Sequence, residues 1–241
     1  MTRGASRAAA VLFTAFIAVL VVVTMPPAWL VLLMRPRGRS SDRVVRGWAR
    51  LIIALSGCAL HVHGVEHIPV DEPVVFVSNH ASYIDSLALM AAIPTRFCFV
   101  VAGRYARWPM VGTAIRKAGY ITVNQHSAAT RAASFAAITA TLRNGCSVLM
   151  YPEGHRGRSM EMDRFQSGAF RAAVETNRRL VPITIRGTRV IWPAESLLLR
   201  RHAIDVIVHA AIRPASGDPA EVDRLSDAAR SAIKAGLQNE N

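Results

Sequence analysis

The chain has 241 residues, 51% of them hydrophobic, with 29 Lys+Arg against 16 Asp+Glu and a formal net charge of +13. That length suits one domain plus an attachment element, and the apolar content excludes an intrinsically disordered chain. The basic excess points to anionic partners. Zinc-finger spacing, a basic recognition helix and an aromatic stacking platform are all missing, so nucleic acid is not expected; anionic lipid is, because the basic residues adjoin an apolar segment.

No charged residue occurs in the 27 positions from Ala8 to Met34, and about 20 apolar residues suffice to cross a bilayer core as a helix. Arg3 and Arg7 would suit a signal peptide, but the run is too long and continues past any cleavage-like point. Pro26-Pro27 should end or sharply bend a helix, which leaves two geometries, one bent span or a hairpin that dips into a single leaflet. Arg35, Arg37, Arg39, Arg43, Arg46 and Arg50 follow at once. Positive charge beside the apolar run places this side, and the main domain, in the cytoplasm at the inner membrane. Pro36–Asp42 reads as a linker. Across residues 43–57, Val44, Val45, Trp48, Leu51, Ile52 and Leu55 share one helical face and Arg43, Arg46 and Arg50 the other. This is an amphipathic helix suited to the headgroup boundary, or else an ordinary surface helix packed on the domain. Residues 1–58 therefore read as a membrane-anchoring helical segment and 59–241 as the main domain.

Past Gly64, strand-like runs occur at Val74–Asn79, Phe97–Ala102, Tyr120–Asn124, Ser147–Tyr151, Val181–Arg186 and Ala203–Ala211. Helical stretches lie between them near Ser82–Ile93, Ser127–Arg143 and Gly168–Asn177, with a last one near Pro219–Leu237. Such alternation predicts an α/β fold with a mixed, mostly parallel central sheet flanked by helices. Asn144-Gly145 is a C-terminal cap signal for one helix, and Asp218-Pro219 an N-terminal signal for another. Three cysteines, Cys58, Cys98 and Cys146, read as buried reduced thiols of a cytosolic domain. Cys58, His61, His63, Glu66 and His67 could all ligate metal, but their spacing matches no regular zinc site, so none is expected.

The most informative stretch is Asn79-His80-Ala81-Ser82-Tyr83-Ile84-Asp85, at a strand-to-helix corner. A histidine with a carboxylate five residues on is a general base with a built-in orienter. Ser82-x-x-Asp85 also matches a capping box, a reading that leaves Asn79 and His80 unexplained. A second signal, Tyr151-Pro152-Glu153-Gly154-His155-Arg156-Gly157-Arg158-Ser159, follows another apolar strand. Its glycines admit close backbone approach to a ligand and its arginines can fork a phosphate; a solvated turn is the plain alternative. Strand ends of this kind are where α/β sheets place ligands. No Gly-x-Ser-x-Gly elbow, Walker loop or dinucleotide fingerprint is present.

Asn-His-x-Ser-x-x-Asp, then Tyr-Pro-Glu-Gly-x-Arg, then Val181-Pro182-Ile183, together resemble the glycerolipid acyltransferase family over roughly residues 60 to 212. The basic apolar N-terminal segment also looks like that family's two-helix membrane-binding segment. The resemblance implies transfer of a fatty acyl group from a thioester to the free hydroxyl of a lysophospholipid, most of all 1-acylglycerol-3-phosphate. In that scheme His80 is the base and Asp85 its orienter, while Asn79 and Ser82 support the corner. Glu153, Gly154 and Arg156 shape the acceptor's phosphate site. The resemblance implies acyl-CoA or acyl carrier protein as co-substrate, and no covalent acyl-enzyme, metal or other cofactor. The middle motif departs from the family: Gly119-Tyr120-Ile121-Thr122-Val123-Asn124-Gln125 ends in glutamine where arginine is usual, and His155 replaces a threonine. These departures bear on the acceptor, which could be another lysophospholipid or a lyso-aminolipid. Arg104, Arg107, Arg116 and Lys117 are candidate replacements for the charge. Phe165-Gln166-Ser167-Gly168 resembles a packing stretch behind the site, and Trp192-Pro193 a channel lining or a core turn. A noncatalytic anionic-lipid binding protein is the alternative from a different class.

Overall fold

The computed structural model describes residues 3–124, 127–157, 162–194 and 196–238. In chain order the elements are α1 (Arg3–Met34), α2 (Arg39–Ser56), β1 (Leu60–His63), β2 (Val75–Ser78), α3 (Ile84–Ala92), β3 (Phe97–Ala102), α4 (Pro109–Ala118), β4 (Ile121–Val123), α5 (Ala128–Arg143), β5 (Ser147–Met150), α6 (Gly168–Thr176), β6 (Leu180–Arg186), α7 (Thr188–Ile191), β7 (Ile204–Val208) and α8 (Pro219–Gln238). The strands form one seven-stranded sheet in the order β1-β7-β6-β2-β5-β3-β4. Only β6 and β7 pair antiparallel, so the sheet is mixed and mostly parallel, as the alternation predicted. The elements β1, α4 and α7 have no counterpart among the strands and helices expected from the sequence.

Strands buried on both faces read as continuous apolar runs, and β2 is buried at all four positions. Alternate side chains divide between two cores. Phe76, Phe97, Phe99 and Leu149 pack with α2 and α3, and Phe13 of α1 joins them. Val75, Val77, Cys98 and Val148 pack with α5, α6 and α8. Truncating a fully buried ring such as Phe76 to alanine costs about 3–5 kcal/mol. The chain leaves β2 for β3 on one side and leaves β5 for β6 on the other. A crevice therefore opens at the carboxyl ends of the central strands, where open α/β sheets bind ligands.

The proline pair does not end the apolar helix: α1 runs through Pro26 and Pro27 without a break. Packing along its length supplies what the missing N–H groups withhold. Trp48 Nε1 of α2 donates to Thr24 Oγ1 at 3.1 Å, and Leu199 N donates to Thr14 Oγ1 at 2.7 Å. Near the other end, Lys117 Nζ of α4 donates to Leu33 O at 3.0 Å and also to Arg35 O. α1 thus docks on the sheet domain at Thr14, in its N-terminal half, and at its C-terminal end. Its outer face leaves Leu12, Phe16, Val19, Val22 and Val23 exposed. Arg7–Met34 is long and apolar enough to cross a membrane.

In α2 the buried residues are Ser41, Asp42, Arg46, Ala49, Ile52, Ile53 and Ser56; of the expected apolar arc Ile52 is buried and Val45 packs on the core, while Leu51 and Leu55 are exposed. Arg46 therefore faces inward instead of sharing a solvated face with Arg43 and Arg50. It donates to Ile93 O, and its guanidinium lies 4.9 Å from the centroid of the Phe97 ring. Tyr120 donates to Asp42 Oδ1 at 3.2 Å. Burial pushes the Asp42 carboxyl up, with Arg46 pulling the other way, and pushes the Arg46 guanidinium down. The helix also begins at Arg39, inside the stretch read as a linker.

Candidate active site

Where β2 ends, Asn79 continues its ladder with a side chain. Asn79 Nδ2 donates to Ile185 O at 2.9 Å, and Ile185 N donates to Asn79 Oδ1 at 2.8 Å. The amide mimics one more strand residue beside β6, so the backbone can depart and present His80 at the crevice. His80 Nδ1 lies 2.9 Å from Asp85 Oδ2, with side-chain exposures of 16% and 0%. A carboxylate only accepts, so Nδ1 carries the proton and Nε2 keeps the lone pair. The same Oδ2 accepts Ala81 N at 2.7 Å and Ser82 N at 2.8 Å. Asp85 Oδ1 is buried without a protein partner among the described residues.

The capping box is half made. Asp85 reaches back to Ser82 N, but Ser82 Oγ accepts from Ile84 N at 3.4 Å and donates to Trp192 O at 3.3 Å. The first helical turn and the His80 imidazole thus share one carboxylate.

The loop after β5 closes over this corner because β5 lies beside β2. Glu153 is buried; its Oε1 accepts His80 N at 3.0 Å and its Oε2 accepts Asp163 N at 3.2 Å. Burial pushes its carboxyl up, partly offset by those two N–H donors. Gly157 N donates to His80 O at 2.8 Å, so the histidine main chain is held at both its N–H and its carbonyl. Gly154 has φ +75°, and a Cβ there would meet the Gln166 side chain; only glycine suits that position. Arg156 stacks its guanidinium 4.2 Å from the centroid of the Tyr83 ring. His155 is exposed, 3.7 Å from Asp163.

Tyr151 was quoted in the loop motif but given no task by the sequence. Its ring stacks on the His80 imidazole, centroids 4.0 Å apart and planes 12° apart, and its hydroxyl lies 3.1 Å from Ser86 Oγ. Burial pushes that phenol well up. All seven sequence-predicted site residues thus fall in one region: Asn79, His80, Ser82 and Asp85 at the corner, Glu153, Gly154 and Arg156 in the loop over it. Gln125, Arg158 and Ser159 lie outside the described residues. Arg104, Arg116 and Lys117 engage their own neighbourhoods, the Tyr105 ring, Ala106 O and the end of α1 respectively. His61 pairs with Asp205 at 3.0 Å and His67 with Val208 O at 2.9 Å. No group of three or more His, Cys, Asp or Glu gathers for a metal among the described residues.

The fold is α/β, with a mostly parallel sheet and a histidine held by a carboxylate at the crevice beyond its central strands. The chain belongs to the acyltransferase family, whose model matches residues 59–186. It is 30% identical over 221 residues to the chloroplast 1-acyl-sn-glycerol-3-phosphate acyltransferase LPAT1 of Arabidopsis thaliana, covering 90% of this chain and 59% of that one. It is 24% identical over 200 residues to the enzyme of the same name from Borreliella burgdorferi, covering 83% and 80%. The chain thus spans about three fifths of the length of the plant relative. Its fold is that of the 1-acyl-sn-glycerophosphate acyltransferase PlsC from Thermotoga maritima, with a TM-score of 0.77, 20% identity and coverage of 99% of this chain and 97% of that chain.

Proposed function

We propose that this protein moves a fatty acyl group from an acyl thioester to the free hydroxyl of a lysophospholipid, converting 1-acylglycerol-3-phosphate to phosphatidic acid. The observation that carries the reading is the His80–Asp85 pair, 2.9 Å apart and built into the carboxyl end of the central strand. With Nδ1 donating to Asp85, His80 Nε2 takes the proton of the acceptor hydroxyl as its oxygen attacks the thioester carbonyl. The tetrahedral oxyanion is stabilised by main-chain N–H groups and nearby cations. Its collapse re-forms the carbonyl and expels the thiolate, which takes the proton back from the imidazolium. Acid, base and leaving group balance without a protein nucleophile: Ser82 Oγ is committed to Trp192 O. Acyl-CoA and acyl carrier protein both present the required thioester. Glu153, in this scheme, fixes the His80 main chain, and Arg156 faces the phosphate. The relatives' names support lysophosphatidate as acceptor.

Because α1 docks on one domain both at Thr14 and near its C-terminal end, the helix is read as lying in a single leaflet rather than spanning. Arg35, Arg37, Arg39 and Arg43 lie at its junction with α2 and set the domain on the cytoplasmic side of the inner membrane. Gln125, in place of the family's usual arginine, favours a second reading in which a different lysolipid is the acceptor.

Free-thiol release from palmitoyl-CoA, measured against a panel of lysolipids, separates these readings. Lysophosphatidate is expected to be preferred, and His80→Ala to lower its turnover by about two to four orders of magnitude. Full activity in that variant would refute the mechanism, and preference for another lysolipid would replace the acceptor.

A further inference from the structure

Two of the three cysteines meet inside the sheet. Cys98 is the second residue of β3, and Cys146 immediately precedes β5. The two strands are parallel neighbours, with Phe97 level with Ser147 and Cys98 level with Val148. Side chains two positions apart along a strand share a face, so Cys146 lies on the face of Val148, diagonally across from Cys98. Both cysteines belong to the core that packs against α5, α6 and α8, and their sulfurs are 3.1 Å apart. A disulfide bond is about 2.0 Å long, so a small side-chain movement separates contact from bonding. Cys58 is buried in the opposite core, across the sheet. Two sulfurs alone do not make a tetrahedral zinc site, and no third His, Cys, Asp or Glu gathers with them among the described residues.

The two thiols differ in access and in acidity. Cys98 is 3% exposed, whereas Cys146 is half-buried, just after the turn that Asn144 and Gly145 make beyond α5. Cys146 N donates to Thr141 O at 3.1 Å, which fixes the approach of its side chain to β3. The hydrogen bond from Cys98, with the Arg96 guanidinium, holds the Cys146 thiol down from 9.0 to about 7 against the opposing effect of burial. The same hydrogen bond, with burial, pushes the Cys98 thiol up. Cys146 thus reaches the thiolate form that reacts with oxidants, and Cys98 stays protonated beside it. A partly exposed thiolate poised next to a second, resolving thiol is the arrangement of a reversible redox site.

We propose that Cys98 and Cys146 form a redox clasp that closes to a disulfide on exposure to a peroxide. The Cys146 thiolate attacks one oxygen of hydrogen peroxide and breaks the O–O bond, giving a sulfenic acid and a hydroxide that is protonated to water. The Cys98 sulfur then displaces the sulfenic hydroxyl, and its own proton leaves with that oxygen as a second water. Each sulfur loses one electron and the peroxide gains both. The bond ties the amino ends of β3 and β5, at the far end of these strands from the crevice. It closes a span of 48 positions that carries α4, β4 and α5, and so fastens the β4 edge of the sheet. Cross-linking a long loop restricts the unfolded chain, so the oxidised form resists unfolding more than the reduced one.

Peptide mass mapping and urea unfolding of the full-length protein in detergent micelles test the clasp, after hydrogen peroxide in modest excess and alkylation of the remaining thiols. In wild type, two of the three thiols should become unreactive, a peptide linking Cys98 to Cys146 should appear, and dithiothreitol should restore both. Cys58→Ser should form the same link and Cys146→Ser should not. Cys98→Ala, which lacks the resolving thiol, should accumulate a Cys146 sulfenic acid that dimedone traps. Oxidised wild type should unfold at a higher urea concentration than reduced. Three intact thiols, a Cys146 sulfinic acid without a link to Cys98, a link formed only between two chains, or an oxidised form that unfolds no later than the reduced one would each overturn the proposal.

Discussion

Replacing Asp85 with asparagine tests the most consequential geometry in the site. Oδ2 accepts from His80 Nδ1, Ala81 N and Ser82 N, and Oδ1 is buried without a protein partner among the described residues. The new amide nitrogen must therefore face three donors in one orientation, or a place without a protein acceptor in the other. The side chain has no exposure to water, so an unmet donor there costs about 1–3 kcal/mol of stability. Catalysis loses more. As His80 takes the acceptor's proton, an imidazolium forms with its charge centre about 4 Å from the carboxylate's, worth about 4 kcal/mol at an effective dielectric near 20. Each 1.36 kcal/mol is tenfold in rate, so kcat should fall by about three orders of magnitude. The assay is thiol release from palmitoyl-CoA with saturating lysophosphatidate, beside a thermal melt that confirms a folded variant. A folded Asp85→Asn protein with kcat within threefold of wild type would refute the assignment of Asp85 as the base's partner.

Two further outcomes follow from other contacts. Tyr151→Leu removes the ring stacked on His80 and should lower kcat about tenfold, in line with an aromatic pair worth about 0.5–1.5 kcal/mol. Tyr151→Phe keeps the stack and should stay near wild type; equal losses in the two variants would show that the hydroxyl bond to Ser86, not the stack, matters. At the start of α8, hydrogen bonds from Arg224 and then Ala215 N hold the Glu221 carboxyl down, from an ordinary 4.5 to about 2. A lowered carboxylate stabilises the fold above its unfolded value, and that contribution fades as pH drops from 4.5 toward about 2. Glu221→Gln should therefore melt lower than wild type at pH 7 and alike near pH 2, as urea titrations across that range would reveal; an equal difference at both would contradict it.

Much of this was legible locally. The alternation of apolar strands with helical stretches defined a mixed, mostly parallel sheet, because side chains buried on both faces of a central strand must all be apolar. The corner from Asn79 to Asp85 was legible because its partners lie within seven residues, close enough for one carboxylate to cap a turn and hold a base. The Glu153–Arg156 loop was legible by its glycine and arginine chemistry, at the end of a strand. β1 was harder: its pattern of half-buried and exposed residues reflects a sheet edge, and edge strands carry a weak apolar signal.

What the residues by themselves could not decide depended on which strands become neighbours. Only the β6-β2-β5 order lays Tyr151 on His80, turns Glu153 onto the His80 main chain and carries Arg189 to Gly157, contacts spanning about 30 to 75 positions of chain. The same holds for the helices. Helical periodicity set Arg46 on a solvated face and the proline pair as a break, yet packing against α4 and β3 buried the one and sustained the other. A local pattern reports what each segment prefers alone; tertiary contacts between distant segments, each worth a few kcal/mol, decide which preferences hold.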